Sequence, residues 1–371
     1  MITRFAVNKL SGQWDLDLSL YPDINVLTGR NGAGKTSVLK LLWFMTSGNI
    51  ERIVPEVNFD LALVETTTFT LQLQLDKKGP FPVMHIELSI KDKPLVKKVI
   101  PCRQVVGYNE KFYDIDSEVA KASGASVFFP TFRRVEGGFS LSTKGLGVRA
   151  RPVNYLQDAM AALSDELSYE DHQFVSSIST NDIESLLTTA YAETSQNANK
   201  LQGELSDFIE KTIKKFDEVD TVTIEDSLSA ARGILSQIQE AVRQIEQKRG
   251  LLFMPFTTLN RLVGELLRHK GIRVKDVTTF GDVASAIEAG NLSAGEKQML
   301  SFLCYNAFSK DGTIFIDEPE ISLHVDWQRI LFPKLMEQGG SNQFIVATHS
   351  PFIYTKFVDR EHRLDELGHA D

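Results

Sequence analysis

The chain has 371 residues, 42% of them hydrophobic and 24% charged, with a formal net charge of −9 at pH 7. That balance provides a core for one large or two ordinary domains and excludes a protein that coats nucleic acid over its whole surface. No apolar run is long enough to span a bilayer, the N-terminal MITRFAVNKLSGQW lacks a secretory apolar stretch, and Cys102 and Cys304 alone cannot form a disulfide framework, so a soluble cytoplasmic protein is expected.

In chain order, strands are predicted over Ile2–Val7, Trp14–Leu20 and Ile24–Leu27, the second alternating Trp14, Leu16, Leu18 and Leu20. A Gly-rich loop, TGRNGAGKTS, and an apolar helical stretch, SVLKLLWFM, follow. Phe69–Leu75 and Val83–Ile90 alternate on either side of the turn signal KKGPFP and predict an antiparallel hairpin, with Val96–Ile100 as a third strand.

After Pro152 no proline occurs until Pro255. Leu201, Leu205, Phe208, Ile209, Ile213 and Phe216 keep helical spacing. Leu228, Ala231, Leu235, Ile238, Val242, Ile245, Arg249 and Leu252 step by three and four, which makes a heptad seam. An inserted helical arm or short antiparallel coiled coil over 151–289, too short for a long rod, is the expectation. Eight Lys and Arg between Arg243 and Lys275, against Glu246 and Glu265, leave a local net of +6, either a contact surface or a solvated helical face.

From Gly290 the pattern returns to a helix from Ser293–Glu296 to Phe308, a buried strand Thr313–Ile316, a helix near Val325–Glu337 and a buried strand Gln343–Ala347. The expected division is an N-terminal lobe 1–150, the arm 151–289 and a C-terminal lobe 290–371.

GRNGAGKT, Gly29 to Thr36, fits the phosphate-loop pattern G-x-x-x-x-G-K-[ST] between a strand and a helix. Gly29, Asn31, Gly32 and Gly34 belong to a turn whose amides curl round an anion, and Lys35, Thr36 and Ser37 open the helix. Lys35 places a charge on the β- and γ-phosphates of ATP, and the Thr36 hydroxyl ligates Mg²⁺. TIFIDEPEISLH ends an apolar strand on Asp317 and Glu318, the first to hold Mg²⁺ and the second to act as base or to position water. Glu320 and His324 either lie near a dimer seam or cap the next helix. FIVATHS puts His349 at another strand end, where a neutral imidazole can report the γ-phosphate.

NLSAGEKQML, Asn291 to Leu300, resembles the ABC signature LSGGQ, with Ala294 for a glycine and Glu296 for glutamine. Ser293 and the amides of Ala294 and Gly295 would make a second anion-binding helix start, and Ser293 with Glu296 also fits a capping box. In the ABC/SMC family the signature of one subunit closes over the nucleotide of the other, so the resemblance implies a homodimer or higher homo-oligomer with shared ATP sites.

Together these motifs resemble the ABC/SMC-like AAA ATPases of DNA repair and bacterial anti-phage defence, including the Septu, retron-associated and PARIS-like systems. The resemblance is specific over 1–50 and 290–355, weaker over 51–150 and architectural over 151–290. It implies an α/β fold, an ABC/SMC-type P-loop ATPase head with a mixed sheet, an antiparallel β subdomain and the inserted arm. SVFFPTFRRVEGG, Ser126 to Gly138, is similar to a strand-then-Arg segment of defence ATPases, in which Arg133 or Arg134 would lie near phosphate or the partner subunit. A Q-loop glutamine has only Gln104 as candidate.

Twenty-two residues follow His349, too few for a nuclease domain, and His85, His172, His269, His362 and His369 are scattered. The resemblance therefore implies an effector in trans, a nuclease or toxin, switched by ATP-driven head closure. The alternatives are an SMC-type DNA-maintenance ATPase that binds DNA directly and a transporter nucleotide-binding subunit.

Overall fold

Alternating strands near the N-terminus and fully apolar strands near both ends of the sequence build two separate sheets. The computed structural model describes residues 1–102, 110–131, 133–135, 155–178, 180–217, 224–266, 292–309 and 311–367. They fall into two compact units, Met1–Ser179 with Leu292–Asp371, and Thr180–Asn291.

The first unit runs β1 (Ile2–Leu10), β2 (Trp14–Ser19), β3 (Ile24–Thr28), α1 (Lys35–Thr46), α2 (Ile53–Glu56), β4 (Leu61–Thr66), β5 (Phe69–Asp76), β6 (Val83–Ile90), β7 (Val96–Pro101), α3 (Glu110–Ser123), β8 (Ser126–Phe129), β9 (Arg134–Val135), α4 (Tyr155–Leu167), β10 (His172–Phe174) and β11 (Ser177–Ile178). Helices α5 (Thr180–Asp217) and α6 (Ile224–Leu266) belong to the second unit. The first unit then resumes with α7 (Ala294–Phe308), β12 (Thr313–Asp317), α8 (Val325–Met336), β13 (Gln343–Ala347), α9 (Pro351–Tyr354), β14 (Glu361–Arg363) and α10 (Leu364–Leu367).

One sheet has the order β2-β1-β4-β5-β6-β7 and is antiparallel throughout. Its strands bury alternate residues, as Phe69, Leu71, Leu73 and Leu75 do in β5, because one face meets the core. The other has the order β10-β8-β12-β13-β3-β14 and is parallel throughout. Its central strands β3, β12 and β13 are buried at every residue, as strands covered on both faces must be. Helix α1 is buried on most sides, and Trp43 packs against Phe128 with ring centroids 5.3 Å apart.

Both ends of the sequence meet in this unit. Buried Gln343 accepts from the Ile2 N–H at 2.8 Å and donates to the Ile2 and Tyr21 carbonyls at 2.7 and 2.8 Å. These bonds satisfy the polar atoms of a fully buried side chain.

In the second unit α5 and α6 have 38 and 43 residues. At about 1.5 Å per residue each is on the order of 60 Å long, well beyond the short arm that the heptad count suggested. They are antiparallel: Tyr191 of α5 meets Phe253 and Phe256 of α6 at 6.1 and 5.7 Å, while Leu205 and Phe208 lie across a groove from Ala241 and Ile245. Pro255 lies inside α6 and does not end it. Leu228 and Leu235, two seam positions, are 55% and 59% exposed, so the predicted heptad seam is only partly covered. Arg243 and Arg261 pair with Glu240 and Glu265 on their own helix, while Arg268, Lys270, Arg273 and Lys275 lie outside the described residues.

The boundary predicted at 151 moves to 180. Strand β10 pairs with β8 in the parallel sheet, and α4 packs beside β10 and β11, so 155–178 belong to the head. Three-residue strands carry too little periodicity to show this in the sequence. Among the described residues no helix is long and apolar enough to cross a membrane.

Candidate active site

Because the second sheet is parallel, its strands deliver their carboxyl ends to one edge, where ligands of such sheets gather. Thr28 leads into the phosphate loop there, Phe129 into Pro130 and Thr131, Asp317 into Glu318, and Ala347 into Thr348 and His349.

The loop has the backbone that an anion cradle needs. Gly34 caps α1 with φ 86°, and Gly29 adopts φ 141°, where a Cβ would approach that of Ala33 to 3.1 Å. Asn31 is exposed at the tip beside Gly32, and Lys35, Thr36 and Ser37 form the first turn of α1 with its free amides. Lys35 is only 5% exposed and donates to the Gly29 and Arg30 carbonyls at 3.1 and 3.4 Å. Burial pulls its ammonium below the ordinary lysine range, opposed by the charges of Glu318 and Asp317.

Asp317 is buried at the end of β12. Its Oδ2 accepts from the Thr36 hydroxyl at 2.8 Å and from the Thr131 hydroxyl, while Oδ1 is buried without a hydrogen-bond partner. An orphaned carboxylate oxygen beside a helix-start hydroxyl fits the Mg²⁺ of a bound nucleotide. Burial raises this carboxyl, and the Thr131 and Thr36 hydroxyls oppose the rise.

Glu318 follows with φ 50°, a left-handed conformation rare for a residue with a Cβ, and its N–H donates to the Ala347 carbonyl at 2.9 Å. Its Oε1 lies 3.3 Å from His349 Nε2, and the same nitrogen is 2.7 Å from Lys35 Nζ. Burial first, then the Glu320 carboxyl, pushes Glu318 well above the ordinary carboxylate range. Burial and Lys35 hold His349 below the ordinary histidine range, which keeps the ring neutral.

Glu320 anchors the histidine rather than capping a helix: its carboxylate accepts from the Thr348 hydroxyl and the His349 N–H, both at 2.7 Å. His324 does cap α8, its Nδ1 accepting from the Asp326 N–H at 3.4 Å. Arg133, expected near phosphate or a partner, is instead buried behind the acidic strand, donating to the Asp317 and Glu318 carbonyls. The side chain of Arg134 and the Q-loop candidate Gln104 lie outside the described residues.

Ser293 caps α7 with the complete capping box: Glu296 N–H donates to Ser293 Oγ, and Ser293 N–H to Glu296 Oε2. Ala294 and Gly295 are the first helical residues, so no left-handed backbone is required and alanine fits. Gly295 is needed for packing, since a Cβ there would collide with the Ser322 carbonyl. Gln298 donates from the same helix to the Pro319 carbonyl at 2.9 Å.

Sequence reasoning missed Thr131, the anchoring role of Glu320, and Gln298. Thr131 was findable, because it follows an apolar strand as Asp317 does. Glu320 and Gln298 act through tertiary contacts that leave no spacing signal. The C-terminal residues add β14 beside β3: Thr28 donates to Glu361 at 2.6 Å, and Asp365 Oδ1 would stand 3.3 Å from a Cβ on Gly29.

A phosphate loop with an acidic pair and a histidine on neighbouring strand ends defines a P-loop nucleoside-triphosphatase head. The family described as an AAA domain, with reference to the AbiEii toxin and the Type IV TA system, matches residues 153–354, and a second AAA-domain family matches residues 8–251. Each match spans more than half of the chain, which belongs to the AAA-domain ATPases.

Similar curated proteins include the Retron Vc95 probable ATPase of Vibrio cholerae serotype O1 biovar El Tor, 30% identical over 90 residues, which are 21% of this chain and 18% of that protein. The Retron Ec83 probable ATPase of Escherichia coli is 33% identical over 75 residues, 17% of this chain and 14% of that protein. The chain thus aligns with less than a fifth of either relative. Among solved structures, the Smc head domain with an extended coiled coil bound to the C-terminal domain of ScpA, from Pyrococcus furiosus, is similar at TM-score 0.36 and 14% identity, over 95% of this chain and 91% of that one. The SmcHead bound to the C-winged helix domain of ScpA is similar at TM-score 0.38 and 11% identity over the same shares, 95% and 91%.

Proposed function

We propose that the chain binds ATP with Mg²⁺ at its phosphate loop and hydrolyses it in a site completed by the Ser293 helix start of a second copy. Closure of the two heads controls a separate effector, a nuclease or toxin, in anti-phage defence. The hydrolysis rests on one observation, the meeting of Lys35, Asp317, Glu318 and His349 at one sheet edge. The likeness to retron probable ATPases supports the defence setting.

Lys35 and the first amides of α1 bind the β- and γ-phosphate oxygens. Thr36 and Asp317 hold Mg²⁺, which when bound neutralises phosphate charge. Glu318 takes the proton of the attacking water. Neutral His349, its backbone tied by Glu320, hydrogen-bonds a γ-phosphate oxygen.

The test is mass measurement and ATP turnover on two variants. Glu318→Gln is expected to keep ATP, to accumulate as a dimer and to lose turnover by about 100-fold or more. Ser293→Arg should bind nucleotide as a single chain and fail to hydrolyse it. Full activity of Ser293→Arg, or efficient turnover by a strictly monomeric chain, removes the shared site. Affinity purification with and without ATP then tests for a bound nuclease or toxin.

A further inference from the structure

Arg133 is 9% exposed, and burying a guanidinium is expensive unless it is hydrogen-bonded. Three carbonyls converge on its outer nitrogens: Nη1 donates to Pro130 at 2.8 Å and to Asp317 at 2.7 Å, and Nη2 donates to Glu318 at 2.9 Å, whereas Nε is buried without a hydrogen-bond partner. Its guanidinium carbon lies 5.5 Å from the centre of the Phe302 ring on α7. Burial pulls the guanidinium below the ordinary arginine range, opposed by the charges of Asp317, Glu320 and Glu318.

The carbonyls held are those of the acidic pair. Glu318 stands at φ 50°, a strained conformation for a residue with a Cβ that persists only when its surroundings enforce it. Four contacts do so. The Glu318 N–H is spent on Ala347, its carbonyl and the preceding one are gripped by Arg133, the Ile321 N–H also donates to the Glu318 carbonyl at 3.2 Å, and the next carbonyl, of Pro319, is held by Gln298. Rotation of the 318 peptide would break the bidentate grip and swing the carboxylate away from His349.

Resting on the reading of Glu318 as the base, we infer that Arg133 is a positioning residue: it locks the turn after β12 so that Glu318 faces the γ-phosphate of its own chain. It acts in cis, through carbonyls, and touches neither nucleotide nor partner.

The experiment measures ATP turnover and nucleotide affinity for Arg133→Ala and Arg133→Lys beside Glu318→Gln. Both arginine variants are expected to lose kcat by about 30-fold or more, with KM and ATP affinity within about 3-fold of the parent, because misplacing a base by about 1 Å leaves binding intact. Lysine keeps the charge without the fork, so it carries the test if alanine unfolds the chain. Parental kcat in Arg133→Lys, or an affinity loss as large as the loss in kcat/KM, overturns the inference.

Mixing separates cis from trans. Ser293→Arg mixed with Glu318→Gln should recover turnover, the defects lying in opposite halves of one site. Arg133→Ala mixed with Glu318→Gln should not, and recovery there would make Arg133 a residue lent to the partner. If Glu318→Gln keeps turnover, the base assignment falls. If Glu318→Gln is inactive while both arginine variants turn over normally, only the clamp falls.

Discussion

Lys35 Nζ lies 2.7 Å from His349 Nε2, joining residues 314 positions apart, one opening α1 and the other just past the end of β13. A γ-phosphate offers both groups one shared acceptor. Lys35→Ala is therefore expected to abolish nucleotide binding, whereas His349→Ala should keep it and slow hydrolysis by about 100-fold. Fluorescent-nucleotide titration and phosphate release separate the two.

Glu320 supports that histidine with two hydrogen bonds at 2.7 Å. Glu320→Ala removes both anchors and leaves the His349 amide without its acceptor. Turnover should fall by about 10-fold, with KM for ATP little changed. A variant with parental kcat would show that the strand end holds His349 unaided.

Gly295 sits where any side chain meets the Ser322 carbonyl. Gly295→Ala must displace either the start of α7 or the loop after Glu318, at a cost of about 1–3 kcal/mol. Thermal melting should show the destabilisation, and hydrolysis should drop even in folded protein, since both displaced segments belong to the proposed composite site. An unchanged melting temperature would mean that the loop yields freely.

Asp116 gives a pH-dependent test away from the site. Its Oδ1 accepts from the Ile50 N–H at 3.0 Å, its Oδ2 is buried without a hydrogen-bond partner, and burial pushes the carboxyl up to about 8. The unfolded chain releases this proton near pH ~4, so the stabilisation is complete below that value and is lost as pH rises through about 8. Asp116→Asn keeps the acceptor and cannot ionise. It should melt close to the parent at pH ~4.5 and about 3 °C or more above it at pH ~8.5. Equal differences at the two pH values would contradict a buried ionisable carboxyl.

The phosphate loop, the acidic strand end and the histidine strand end were legible because each is local: a few residues of fixed type after an apolar run. The antiparallel strands were equally legible, since one-sided burial prints alternation into β2, β5 and β6. The arm's helices were seen, but a seam count measures only the residues that keep the repeat, while α5 and α6 extend past it at both ends. Strand β10, with three residues, had no pattern to read.

The residue types and spacings along the chain were enough, by themselves, to decide the P-loop motif and the strand and helix types, because these depend on short-range periodicity and backbone stereochemistry. Tertiary structure alone decided that Arg133 faces carbonyls rather than phosphate, that Glu320 serves His349, and that Gly295 exists for a close approach. Those roles depend on which strand ends become neighbours in the parallel sheet, and contacts between residues about 30 to 190 positions apart leave no trace in local sequence.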